Sequence, residues 1–386
     1  MSNKTLKTLC LILSHVLVVL IAVSATLYVT TNFSLGSSKL EQLENLLLNR
    51  FVDGADRTEL EDAAAHAMVD ALGDRWSYYI PADAYASYLE QKKNAYVGIG
   101  VTIQTVETGY HIQKVAAGGP AEEAGLLAGD IIVAVDGNSV AGLNADEGKS
   151  LVQGKAGTKV ELTIQRAGEE KVISVTRGTV KTPVATAQML EGNIGLITIA
   201  NFNSNCASET IAAIKQLQEQ GAVALVFDVR NNGGGYAEEM VKLLDHLLPE
   251  GELFRTVNYK GEEAVDTSDA ACVQLPMAVL VNRYSYSAAE FFAVALHEYE
   301  WATVVGEQTS GKGYFQVVYE LGDGSAVGVS IGKYFTPSGI SLEGVGIAPD
   351  VMVDVENDVF NAIYAGTLNP MEDPQILAAI AALKGE

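Results

Sequence analysis

From residue 193 onward the chain alternates short apolar runs with amphipathic helical runs, and few folds satisfy that alternation. Ile194 to Ile199, Val223 to Val229 and Met277 to Val281 read as buried strands, with helices expected near Ser208 to Gln218, Ala237 to Leu248 and Ala288 to His297. Strands apolar on both faces need cover on both sides, and a strand, helix, strand succession brings the strands back in parallel. The expectation is a largely parallel α/β core over 185–355, followed by a helical segment at 356–386.

Upstream the texture is different. Gly98-Ile99-Gly100-Val101-Thr102-Ile103 and Ile131-Ile132-Val133-Ala134-Val135-Asp136-Gly137 alternate like strands broken by glycine, and Gly119-Pro120-Ala121 opens a short helix that exits at Gly125. Together with Tyr96-Val97 before them and Ala128-Gly129-Asp130 between them, these segments resemble a PDZ domain of the bacterial periplasmic type, placed at 94–178 and rich in β structure with short helices. The resemblance implies a peptide-binding element at Tyr96, Val97, Gly98, Ile99, Gly100 and Val101. Free N–H groups of the glycine-rich loop would capture a terminal carboxylate while the peptide pairs with a sheet edge.

At the other end, Lys4 and Lys7 precede an apolar stretch from Leu9 to Val29, interrupted by Ser14, His15, Ser24 and Thr26. It is long enough to span roughly 30 Å of hydrocarbon. Residues 1–7 are then expected in the cytoplasm, 8–31 as a transmembrane anchor, and everything beyond on the outer side. Val23-Ser24-Ala25 resembles a cleavage site, so a removed signal peptide and a secreted protein compete with the anchor, which is preferred because the run is long for a signal peptide. A helical region follows over 38–93: Leu40, Leu43, Leu46, Leu47 and Phe51, then Leu60, Ala64, Met68, Val69 and Leu72, recur at helical steps. Two helices are expected, then a loop from Gly73 to Pro81 with a structural role. A chain of 386 residues exceeds one ordinary core, so several modules are expected. A net charge of −23 disfavours nucleic acid as a partner. Cys10, Cys206 and Cys272 have neither disulfide-framework nor zinc spacing; Cys206 and Cys272 are expected as buried thiols, and no metal or cofactor is expected.

Ser287 lies where the buried run Met277-Ala278-Val279-Leu280-Val281 turns into the helix beginning Ala288-Ala289-Glu290. A hydroxyl there points away from the sheet, and free N–H groups at the helix start can receive an oxyanion. The same residues also read as a capping box, Ser287 with Glu290, which makes Ser287 a helix cap on local grounds. Lys312 stands between Gly311 and Gly313, with Gln316 four residues on. Its amine is a poor base at about 10.4, but burial lowers that value and neutralises it, and Gln316 would hold it in place. Taken alone, Lys312 would be a surface lysine. The histidines make a weaker competing triad: His297 is ten residues along the helix from Ser287, about 15 Å away, and His15, His66, His111 and His246 sit in structural patterns.

Phe227-Asp228-Val229-Arg230-Asn231-Asn232-Gly233-Gly234-Gly235, Ser285-Tyr286-Ser287-Ala288-Ala289-Glu290, Gly311-Lys312 and Gln316, in this order among similar flanking segments, resemble the carboxyl-terminal processing (tail-specific) peptidases from about Leu40 to Val353. That family implies an α/β multidomain protein with a crotonase- or ClpP-like core and an inserted PDZ domain. It implies Ser287 as nucleophile, Lys312 as base, Gln316 as support for the lysine, and the amides of Ala288 and Gly234 as oxyanion donors, with Gly233 a lesser candidate. Two departures stand out: Ala289, where many relatives have serine, and Gln153, where relatives often carry an arginine that in some of them links the PDZ domain to the active site. The functional expectation is an extracytoplasmic serine endopeptidase acting on proteins or peptides with accessible C-termini; a homo-oligomer is compatible with it. The alternative is a catalytically silent, membrane-tethered PDZ scaffold.

Overall fold

The computed structural model describes residues 13–26 and 38–385, and the chain divides into two compact units, 1–73 and 74–386. In the first unit residues 13–26 are helical, and the helices Lys39–Arg50 and Arg57–Asp70 are N-capped by the side chains of Ser38 and Asp56. An Arg57–Glu44 ion pair joins these two helices. Among the described residues no helix is long and apolar enough to cross a membrane. The expected anchor, 8–31, runs past the described residues at both ends, and Lys4, Lys7 and Cys10 lie outside them.

The second unit is built on a six-stranded sheet in the order Ala185–Leu190, Ile194–Ile199, Ala224–Asp228, Met277–Val281, Ala302–Gly306, Val351–Met352. All neighbours in it are parallel except the first pair, as strand and helix alternation requires. One face packs against helices Cys206–Glu219, Ala237–Leu247 and Ala288–Glu298 through Phe202, Phe227, Phe291 and Phe292. The other face is closed by Ile376, Ala379 and Ile380 of helix Pro374–Lys384. The C-terminal helical segment is therefore part of the core, since without it Val226, Ala278 and Leu280 would face water.

A five-stranded antiparallel sheet joins Tyr78–Ile80, Ala326–Phe335, Gly251–Asn258, Glu263–Ser268 and Tyr314–Glu320. Its first strand corrects the expectation of a plain loop from Gly73 to Pro81. Tyr78 pairs with Gly328, and a Cβ on Gly328 would come within 2.5 Å of the Tyr78 ring, so a missing side chain on one strand makes room for the aromatic on the other. A further helix, Ala82–Lys92, follows.

In the segment expected as a PDZ domain a sheet runs Val101–Val106, Gly109–Val115, Ile131–Val135, Lys159–Arg166, Glu169–Thr176 around its own core of Ile112, Leu126, Ile132, Leu162 and Ile164. Two antiparallel strands, Ala95–Gly98 and Gly178–Lys181, lead into and out of it.

Both thiols within the second unit are free; Cys206 is buried, but Cys272 is only half-buried, which corrects the expectation for it because its loop turns the neighbouring Val273, and not the thiol, into the core. Burial pushes the Cys206 thiol up to about 12. A thiol reagent followed by peptide mass analysis is expected to modify Cys272 in the native protein and Cys206 only after unfolding; equal native rates would contradict this burial.

Candidate active site

The strand Met277–Val281 is buried throughout and ends in a turn fastened to its parallel neighbour. Asn282 Oδ1 accepts from the amides of Asn231 and Tyr284 at 3.0 Å each, and the Ser285 hydroxyl donates to the Val229 carbonyl at 2.7 Å. Ser287 closes the turn at φ 59° and ψ −127°. Helix caps ordinarily have extended backbone, as Ser38 does at φ −63° and ψ 160°, whereas positive φ on serine is strained and persists only where its surroundings impose it. The strain sets the residue at the tip of a strand-to-helix turn.

Glu290, fully buried, ties this turn to a second loop. Its Oε2 accepts from the amides of Ser287 at 3.0 Å and Lys312 at 2.8 Å; its Oε1 accepts from the Gly311 amide at 2.7 Å and from the Thr309 hydroxyl. Burial pushes the Glu290 carboxyl above its ordinary value, and these hydrogen bonds work in the opposite direction. The capping partner of the sequence thus has a longer reach, because its two oxygens fix the amides beside both candidate catalytic residues. Glu343 completes the clamp by accepting from the Gly313 amide at 2.8 Å.

Lys312 extends from this clamped loop into a cavity of about 280 Å³ that it lines with Ser287, Gln316, Gly233, Lys92 and Phe315. Its Nζ stands 5.0 Å from the ring centroid of Trp76 and 5.8 Å from that of Tyr286, and those two rings stack at 6.1 Å. Trp76 Nε1 donates to both oxygens of Glu343 at 3.0 and 3.1 Å, which holds the indole over the amine. Burial, and next the Lys92 ammonium, lower the Lys312 amine to about 8 against the opposing pull of Asp74, Glu343 and Glu290. Gln316 is oriented by donating to Ser330 Oγ at 2.9 Å and the Tyr314 carbonyl at 3.2 Å. The sequence assigns no site role to Trp76, Tyr286, Lys92 or Glu343; Trp76 lies in the run Gly73 to Pro81 and Tyr286 within the Ser285 to Glu290 motif, while Lys92 and Glu343 carry no local signal.

The expected oxyanion donors meet different circumstances. Gly234, at φ 81°, lies so close to the turn that a Cβ would come within 2.9 Å of Ser287 Cβ and of the Ala288 nitrogen. Only glycine allows that approach. Its amide, however, donates to Asn232 Oδ1 at 2.8 Å, and Asn232 is itself held by donating to the Ile199 carbonyl at 2.8 Å. Ala288 sits at the first position of its helix, where amides have no partner within the helix. The glycine turn is braced from behind by Arg230, which is buried and paired with Asp228 at 2.6 Å and Asp373 at 2.8 Å. Removing it would strand two carboxylates in the core. Arg230→Met is therefore expected to destabilise the protein by about 3–5 kcal/mol, measured by urea unfolding, and a loss below about 1 kcal/mol would overturn this account of the brace.

Of the expected peptide-binding residues, Tyr96, Val97 and Gly98 pair with Val180, Thr179 and Gly178 in a two-stranded ribbon outside the PDZ sheet. Ile99 and Gly100 form the loop, their carbonyls accepting from Ala121 and Ala116 at 2.8 Å each. The open edge of the sheet begins at Val101 and runs to Val106, beside helix Ala145–Val152. Gln153 is the exposed C-cap of that helix. His297 pairs with Asp350 at 2.8 Å and does not line the cavity.

The profile of peptidase family S41 matches residues 193–353, and a PDZ domain profile matches 111–166. The chain is 32% identical over 349 residues to the carboxy-terminal processing protease CtpA of Bacillus subtilis (strain 168), covering 87% of this chain and 75% of that protein. It is 33% identical over 321 residues to a probable CtpA-like serine protease of Staphylococcus aureus (strain COL), covering 82% of this chain and 64% of that one. Among solved structures, a putative S41 protease from Bacteroides fragilis NCTC 9343 matches 91% of this chain and 98% of its own with a TM-score of 0.52 at 17% identity, a likeness of fold.

Proposed function

The chain belongs to peptidase family S41, among the carboxy-terminal processing serine proteases, and from that premise we propose that it is an extracytoplasmic endopeptidase working through Ser287, Lys312 and Gln316. The observation that carries this reading is the strained Ser287 at a strand-to-helix turn, sharing one cavity with a lysine whose amine is lowered to about 8. A neutral amine at that position takes the hydroxyl proton as Ser287 Oγ attacks the peptide carbonyl. The resulting ammonium then protonates the leaving amine, and an ester to Ser287 remains. Water, giving its proton to the same amine, hydrolyses that ester and restores the serine.

The Ala288 amide receives the oxyanion. Gly234 becomes the second donor once its amide exchanges Asn232 Oδ1 for the substrate oxygen, so the arrangement described above is a resting one. Gln316 keeps the amine aimed without recharging it. The PDZ module selects the substrate: the open edge from Val101 to Val106 takes an extended C-terminal tail as an added strand. The apolar stretch 8–31 anchors the protein in the membrane with this machinery on the outer side. The test is cleavage of an unstructured protein, with its C-terminus intact or removed, by wild type and Ser287→Ala. Equal cleavage by both proteins would sink the mechanism, and indifference to the tail would sink PDZ selection.

A further inference from the structure

Two amines face the cavity that holds Ser287, and the mechanism uses one of them. The other, Lys92, comes from the last turn of helix Ala82–Lys92. Its Nζ stands 5.6 Å from the ring centroid of Tyr88 and 5.8 Å from that of Tyr236, and it donates to Asn203 Oδ1 at 3.3 Å. No ion pair among the described residues includes it, in a chain with 48 acidic and 25 basic side chains. Burial lowers its amine, with no carboxylate countering that effect. A cation kept half-buried beside two aromatic faces and a neutral amide, and open to a cavity, lacks the partner that ordinarily offsets the loss of water.

We propose that Lys92 is a carboxylate-binding subsite of the active-site cleft, selecting substrates that carry either a free C-terminal carboxylate or an Asp or Glu side chain near the scissile bond. The chain's net charge of −23 disfavours acidic substrates at a distance. A single cation without an ion-pair partner, in the cavity that also holds the nucleophile, reverses that preference within the screening length, so it discriminates by position instead of by overall charge. The proposal rests on the reading of Ser287 as nucleophile. Lys92 also lowers Lys312, so its removal affects the base for every substrate alike. The informative quantity is therefore a ratio between substrates, in which that common effect cancels.

The test uses the full chain and an unstructured fluorogenic peptide made with an amidated end, with a free end, and, in the amidated form, with one Glu or its Gln isostere placed at each position around the scissile bond. Wild type should prefer the carboxylate form at one place by about tenfold or more in kcat/KM, carried by KM. Lys92→Met should bring that ratio to about one, and Lys92→Arg should retain it. An effect confined to the free end assigns the terminus; an effect confined to one Glu assigns a side chain. A wild-type ratio near one everywhere overturns the subsite, whether or not the variants fold, and so does an undiminished ratio in Lys92→Met. If wild type cleaves none of the peptides, the Ser287 reading fails. The subsite is then judged by calorimetry of the same peptides on Ser287→Ala, where equal affinity for acid and amide forms would overturn it.

Discussion

Ser287→Ala is expected to lower turnover of an unstructured protein substrate by about 10³- to 10⁶-fold while the protein stays folded. The size follows from the role: without Oγ no ester forms, and what remains is whatever the oxyanion donors and binding alone provide. The fold survives because the change removes one oxygen at a cavity wall and, at most, a helix cap of about 1 kcal/mol. The backbone strain at φ 59° is common to serine and alanine, and the Ser287 amide keeps its bond to Glu290. Ser285 is the proper contrast. Its hydroxyl accepts from Asn282 and donates to Val229, both inside the core, so Ser285→Ala loosens the turn instead of deleting a reacting atom. Activity of Ser287→Ala within tenfold of wild type would end the proposal.

The second large effect concerns Lys312. Its active form is the neutral amine, so kcat/KM should rise with pH through about 8 and level off above it, falling about tenfold per pH unit well below that value. The sign follows from the causes: burial and the Lys92 ammonium favour the neutral form, and Asp74, Glu343 and Glu290 favour the charged one, with the first pair prevailing. Lys312→Met should remove at least about 10³-fold of the rate. Lys312→Arg should not restore it, because a guanidinium stays charged throughout this range and cannot take the serine proton. A limb near pH 6.5, or an active arginine variant, would point to a different base.

How much of this was legible in sequence differs from element to element. Met277 to Val281 and Ile194 to Ile199 match their strands to the residue and Val223 to Val229 overruns its strand by one at each end, because a continuous apolar run reports burial on both faces, while Ala185–Leu190, Ala302–Gly306 and Val351–Met352 are strands that reading does not name. Nor does it name Tyr78 to Ile80. Three residues are too few for periodicity, and their strand depends on pairing with Ala326 to Gly328, where the missing side chain of Gly328 admits the Tyr78 ring. The open PDZ edge shifted for a similar reason, since Tyr96 to Gly98 found partners at Gly178 to Val180, some eighty residues on.

At the candidate site, residue type and spacing make Ser287 a helix cap and Lys312 a surface lysine, and it is the family resemblance that singles out Ser287, Lys312 and Gln316. What the local pattern could not carry was contact between loops. Glu290 read as a cap, yet it fixes amides on both sides of the site; Trp76 read as structural, yet it covers the lysine. By itself, then, the sequence determined the alternation of strands and helices in the core and the candidates for its site, since backbone preference and hydrophobic period act over a few residues. Tertiary structure alone decided that the Lys312 amine is lowered to about 8, that the Lys92 amine lines the same cavity, and that the Gly234 amide rests on Asn232. Burial, Coulomb interaction and hydrogen bonding depend on distance in space, and packing the sheets sets those distances between residues far apart in the chain.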